Sequence, residues 1–337
     1  MIDDRSSLLD RAGDDVQARR PATRVSLSRV GVTGVEKVVR IKAGGPEQLF
    51  YAEVECFVDL GPNQKGAHMS RFEETINEAI DEVVLGEAFN AETLAAHIAE
   101  RVLARQRSRR AEVTIAARFP ERKSTPESGS STQEIYTLFG SAVASAKGSR
   151  RLVGVRAQGM TACPCSSEMV TSRARERLAA DGFSDDEIGR VFEHVPVATH
   201  NQRGFGTLHV GCPEGQTETV AADALLRIVE ASMSSEIYEL LKRPDELAVV
   251  EKAHRRPRFV EDCVREMVRM AVEQFGGLGE GAFVMARQEN LETIHKHNVV
   301  AERCGLLSEL ARELHSGEQS PHHVTMREWL EGASSGP

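Results

Sequence analysis

The first chemistry this chain offers is a pair of thiols held on either side of a proline. Cys163 and Cys165 lie in the stretch QGMTACPCS (158–166), where a β-like run ends. In extended backbone, positions i and i+2 point to one side, so both sulfurs can face one pocket. Pro164 fixes φ and removes a backbone donor, which stiffens the turn. Ser166 is placed to cap a helix over Glu168 to Leu178, and the amide end of a helix suits a thiolate. A metal-binding or reactive cysteine is the sharp reading. A pair of buried structural thiols is the plain one, since free cysteine is often simply buried.

Four further stretches carry polar groups that a core does not require. In GPNQKGAHMSR (61–71), Lys65, His68 and Arg71 gather where a helix begins, a natural place to receive phosphate or carboxylate; otherwise it is a solvated turn. In ATHNQRG (198–204), His200 stands beside two amides and an arginine. Imidazole is the commonest metal ligand, and equally an ordinary hydrogen-bonded residue. Glu246 follows a proline in LLKRPDE (240–246), free to turn inward, and Glu261 opens an amphipathic helix in PRFVED (257–262). Either acid could serve a ligand or merely favour a helix start. In ETIHKH (292–297), His295 and His297 share one side of an extended segment. A thiolate, an imidazole and a carboxylate around an open position make a catalytic rather than a closed zinc site, but spacing leaves their convergence open. The chain has no phosphate-loop, dinucleotide-fingerprint or H-E-x-x-H motif.

Regular elements must position these groups. From residue 25, alternating runs read as strands: 50–59 puts Glu53, Glu55 and Asp59 on one face and Ala52, Val54 and Val58 on the other. Phe72, Ile76, Ile80 and Val84, then Leu94, Ile98 and Val102 after Asn90, mark two helices. Strands over 112–119 and 134–143 follow, joined by a Ser-rich loop (123–132) read as flexible. The second half repeats that order loosely, with an inserted helix pair whose second member starts at a Ser184–Glu187 capping box. This predicts an α+β chain of two antiparallel ββααββ modules, with helices on one face of each sheet. The boundaries are an arm at 1–20, modules at 21–148 and 149–317, and a tail at 318–337 holding the lone Trp329.

The bulk numbers narrow the function. Forty-two basic against fifty-one acidic residues give a net charge of −9, which argues against a general nucleic-acid or membrane-surface binder. A local basic run, RVLARQRSRR (101–110), stands apart from that balance, as a solvated helix end or an anion site. Six scattered cysteines, with no signal layout and no apolar run of spanning length, are consistent with free thiols in the cytoplasm.

Taken together, the blocks KGAHMSRF (65–72), QGMTACPCS (158–166), THNQRG (199–204), LKRPDE (241–246), RFVEDCVRE (258–266) and ETIHKHN (292–298) resemble the type IB GTP cyclohydrolase family. The order of the blocks matches, over roughly residues 24 to 316. The Met-Thr-Ala-Cys-Pro-Cys form and the glycine after Asn-Gln-Arg look more like the archaeal branch, which forms a cyclic phosphate product; Ala67 departs from the threonine usual there. The resemblance implies the tunnelling fold, a homotetramer with active sites at subunit interfaces, GTP as substrate, and a divalent metal: zinc, iron(II) or manganese. It implies Cys163, His200 and Glu246 as ligands, Glu261 on the guanine edge, His295 as a proton-transfer residue and Cys165 beside the metal. Lys65 and Arg71 are assigned to the triphosphate from charge. The product expected is formate with a 7,8-dihydroneopterin phosphate, triphosphate or 2′,3′-cyclic, for folate or pterin biosynthesis. Two rivals share the fold: a nitrile reductase with a cysteine nucleophile and NADPH, and a non-catalytic ring-forming purine- or pterin-binding protein.

Overall fold

The computed structural model describes residues 16–41, 47–85, 90–212 and 220–332. Contacts group the chain into two units, one of residues up to 41, 47–115 and 140–151, the other of 116–139 and 152 onward. In the first unit, β1 (Leu27–Ile41) and β2 (Gln48–Leu60) form an antiparallel ladder. The period-2 pattern in β2 is realised: Ala52, Val54 and Cys56 are fully buried while Glu53 faces out. Helices α1 (Met69–Leu85) and α2 (Ala91–Gln106) follow, burying Phe72 and Ile76 from one and Leu94, Ile98 and Val102 from the other. Apolar residues four apart share a helix face. The chain returns through β3 (Arg110–Ser124) and β4 (Ser131–Ser145), completing the order β1-β2-β3-β4. Gly140 lets β4 approach the start of α2, because a Cβ there would lie 2.2 Å from the Ala91 carbonyl carbon.

The second unit repeats the scheme with insertions. Its sheet runs β5 (Gly148–Ala162), β6 (Asn201–Cys212), β8 (Phe283–Asn290) and β9 (Val299–Leu306), with short β7 (Ser235–Glu236) on β5. Helices α5 (Ala222–Ser232) and α7 (Val260–Phe275) pack on it through Leu225, Ile228 and Val229 and through Cys263, Met267 and Ala271. Between β5 and β6 stand α3 (Pro164–Ala180) and α4 (Asp185–His194), the latter closed by the expected Ser184–Glu187 capping box. Helix α6 (Arg243–Arg255) lies between β7 and α7, and α8 (Leu307–Ser316) and α9 (Met326–Leu330) close the chain. Both halves therefore follow ββααββ with antiparallel strands and helices on one face, the α+β class the sequence predicts.

Two expectations need correction. The helix expected from Glu168 begins at Pro164, with Cys163 rather than Ser166 as its cap. Proline suits the first helical position, where its missing N–H costs nothing. The described part of the tail is anchored: Trp329 is 1% exposed, stacks on Phe283 at 5.5 Å and donates Nε1–H to the Gly281 carbonyl at 2.9 Å. Gly211 makes room for that indole, since a Cβ there would meet the ring at 2.5 Å. The Ser-rich loop is not free either, for reasons that belong to the site below. Of the expected arm, residues 1–15 lie outside the described residues; Val16–Ala18 forms one turn, and the Gln17 carbonyl accepts from Lys65 N–H at 3.1 Å.

Candidate active site around Cys163 and His200

Cys163 stands where β5 gives way to α3. Its Sγ accepts from Ser166 N–H at 3.5 Å, so the thiol itself satisfies one of the helix's orphan donors. Its backbone is stapled to the next strand: Cys163 N–H donates to the His200 carbonyl at 3.1 Å, and Thr199 Oγ1 donates to the Cys163 carbonyl at 2.9 Å. The structure thus brings Cys163 and His200 side by side although 37 positions apart, as their numbers show. The His200 side chain is 14% exposed, with Nδ1 at 3.1 Å from Gln202 Oε1 and 4.0 Å from Glu292 Oε2. Gln202 is in turn fixed by donating to Thr161 Oγ1 at 3.1 Å. With Nδ1 turned to these oxygens, Nε2 is the nitrogen left for a ligand. Two other thiols are excluded by their surroundings: burial pushes Cys56 and Cys263 up to about 12, and a protonated, enclosed thiol is inert.

The acids that the sequence singles out come with an aspartate neighbour, and the neighbour does the structural work. At the start of α6, Asp245 is fully buried and accepts from Lys242 N–H (3.0 Å), Glu127 N–H (2.9 Å), Ser128 N–H (2.8 Å) and Ser128 Oγ–H (2.7 Å). Burial opposes its ionisation, yet those donors hold its carboxyl well below the usual carboxylate range. This is what orders the Ser-rich loop between β3 and β4. At the start of α7, Asp262 accepts from Phe259 N–H at 3.0 Å. Glu246 and Glu261 are left exposed beside these caps, with no side-chain partner among the described residues. The helix-start role that competes with chemistry is thus filled by the aspartates.

Glu246 does not join Cys163 and His200 within the chain. The far end of α6 touches their loop, His254 Nε2 lying 3.3 Å from the Thr199 carbonyl oxygen. His254 lies eight positions along the helix from Glu246, a rise of about 12 Å. Among the described residues no group of three or more His, Cys, Asp and Glu is close enough to hold a metal ion. The carboxylate that does approach His200 is Glu292, 7% exposed, which the sequence reading passed over. Its only sequence signal is its place in the ETIHKHN block. Glu261 lines a cavity of about 450 Å³ with Val264, Val268, Leu310 and Arg303.

His295 and His297 sit on an exposed bend rather than an extended segment, their rings stacked at 5.2 Å and 9°. That loop is tied beside His200 by Thr293 Oγ1 donating to the Asn201 carbonyl at 3.1 Å and Leu291 N–H to Arg203 O at 2.9 Å. Cys165 is exposed on the first turn of α3. Lys65 and Arg71 belong to the first unit, Lys65 exposed and Arg71 half-buried at the start of α1. In donor chemistry, a thiol, an imidazole and carboxylates fit a borderline divalent ion. No described helix is long and apolar enough to cross a membrane.

The architecture is that of the tunnelling-fold proteins. A hyper-thermostable AgUricase variant superposes with a TM-score of 0.50 over 92% of this chain and 98% of its own, at 8% identity; at that identity the likeness speaks for the fold alone. Within that class the chain belongs to the family described as type I GTP cyclohydrolase folE2, whose profile matches residues 14–301. It is 39% identical over 307 residues to GTP cyclohydrolase MptA of Methanococcus aeolicus, covering 89% of this chain and 99% of that one. To the MptA of Methanocaldococcus jannaschii it is 39% identical over 310 residues, covering 90% and 98%. The nitrile-reductase reading falls with this match.

Proposed function

We propose that the protein opens the imidazole ring of GTP at C8, releases formate and forms a 7,8-dihydroneopterin phosphate, as a cytoplasmic type IB enzyme feeding folate or pterin synthesis. The observation that carries the reading is the backbone staple between Cys163 and His200 in a chain of this family. Cys163 and His200 would hold a divalent ion (zinc, iron(II) or manganese), with Glu246, exposed on α6, supplied from a second copy in a homotetramer. Such an ion contributes Lewis acidity that makes water a competent nucleophile near neutral pH. The rest falls to the chain's own groups. Gln202 fixes the tautomer and direction of His200. Glu261 accepts hydrogen bonds from the guanine N–H edge. His295 gives a proton to the imidazole nitrogen that leaves as the C8–N bond breaks, a task imidazole performs near neutral pH. Cys165, exposed on the turn after Cys163, stands with the catalytic set. Arg71, with Lys65, receives phosphate.

The experiment is incubation of purified protein with GTP and each metal in turn, following formate release and the mass of the pterin product. A product mass of the triphosphate or of the cyclic phosphate decides between the two endings. GTP left intact with every metal would sink the proposal.

A further inference from the structure

The basic run at 101–110 is not absorbed by the function proposed above, and the structure sorts its arginines. Arg101 pairs with Glu82, Arg105 with Glu78 (2.6 Å) and Glu74 (3.2 Å), and Arg110 with Glu112 (2.9 Å). Arg107 does otherwise. It closes α2 at φ 55°, ψ 37°, and among the described residues it is the one non-glycine with a positive φ. Helices commonly place glycine there, because a Cβ is strained in that region. A strained residue held at the edge of a cavity is a reason to look for function.

The cavity is there. About 450 Å³ in the first unit is lined by Gln64, His68, Arg71, Arg105, Gln106 and Arg107. Gln106, 5% exposed, shapes its wall: its Nε2 donates to the His68 carbonyl at 2.9 Å while its Oε1 accepts from His68 N–H at 3.4 Å. That clamp sets the loop before α1 against the end of α2. Arg105 is neutralised by its two glutamates, but the guanidinium groups of Arg71 and Arg107 have no partner among the described residues. Both guanidinium groups line the same cavity, where one anion could pair with the two of them. Their planar forks match phosphate oxygens.

We propose that this pocket binds a polyphosphate chain, with Arg71 and Arg107 as its paired donors. The proposal rests on the phosphate role given to Arg71 and adds Arg107 as its partner in the cavity, whose wall does not include Lys65. A phosphate chain suits two separated cations better than a single carboxylate does, because it presents charge along its length. Its source is either the tail of a nucleoside triphosphate or free polyphosphate.

Titration calorimetry of the full-length chain with inorganic tripolyphosphate tests this apart from catalysis. Wild type binds; Arg107→Gly and Arg71→Gln each weaken binding by about tenfold or more. Arg107→Gly keeps a Tm close to wild type, because glycine accepts the backbone conformation without strain. Arg109→Gln, removing an exposed charge of the same run, leaves binding unchanged. Displacement of tripolyphosphate by GTP names the nucleotide as the source, and lack of displacement names free polyphosphate. No binding to wild type, unchanged binding in both pocket variants, or an equal loss in Arg109→Gln overturns the proposal. If GTP is never opened while the pocket variants still lose tripolyphosphate, the cyclohydrolase reading fails and this one stands.

Discussion

Helices α6 and α7 start alike and use their acids alike. Each opens with an adjacent aspartate and glutamate: Asp245 before Glu246 on α6, and Asp262 after Glu261 on α7. In both, the shorter acid folds back onto a backbone N–H and the longer one is exposed. The difference lies in reach. Asp245 is fully buried and also holds the β3–β4 turn through Glu127 and Ser128, whereas the Asp262 side chain is 41% exposed and among the described residues is bound only to Phe259 N–H and Arg265, at the start of its own helix. Capping therefore does not explain either glutamate, which is why both are candidates for chemistry. It also makes α6, pinned from two sides, the stiffer platform.

The largest effect should separate the glutamates. Glu246→Gln, like Cys163→Ala, is expected to lose bound metal, with affinity falling about a hundredfold or more and GTP turnover lost. Glu246→Gln keeps nucleotide binding. Metal stoichiometry by mass spectrometry reads the outcome, and full metal in Glu246→Gln would remove it from the ligand set.

Acid tests whether Asp245 is held as tightly as its donors suggest, once a larger effect is taken out. His209 is buried against Phe139 and Gly154, its Nδ1 has no hydrogen-bond partner among the described residues, and burial lowers its pKa from 6.5 to about 4. A folded value below the unfolded one means that the unfolded chain takes up the proton first. Stability is full above pH 6.5 and falls as the pH drops from 6.5 to about 4, by roughly 3 kcal/mol in all. In His209→Leu that loss should largely vanish. Asp245 has its pKa lowered in the fold, so its contribution is present above its ordinary value of 3.8 and fades only below it. Chemical denaturation of both proteins between pH 7 and 3 checks the order; an unaltered slope above pH 4 in His209→Leu would assign it elsewhere.

Glu261→Gln should weaken GTP binding by about ten- to a hundredfold, because purine donors lose their charged acceptor, while metal content stays at wild type. Equilibrium binding and metal analysis on the same preparation measure both, and the reverse pattern would exchange the two glutamates. The smallest effect is on stability. Asp245→Ala should lower Tm by more than about 5 °C and Asp262→Ala by only about 2–4 °C. Equal shifts would mean that the β3–β4 turn gains nothing from Asp245.

Sequence alone determined what depends on near neighbours. The alternation in β2, the four-residue spacing in α1 and α2 and the capping box before α4 are local patterns, and each reappears in the fold. The candidate site was legible as a set of residue types in motif blocks, Cys163 and His200 among them. What it could not say is which groups meet. Nothing near Trp329 announces that Gly211 and Phe283 await it, and nothing in ETIHKHN marks Glu292 as the acid beside His200. His200 and His209 differ only in their neighbours, one near Gln202 and Glu292, the other in an apolar wall. Those outcomes belong to the tertiary structure, because burial and many hydrogen-bond partners come from residues tens of positions away, and they decide which acid also holds a distant turn, which histidine stays neutral and which arginine is left unpaired.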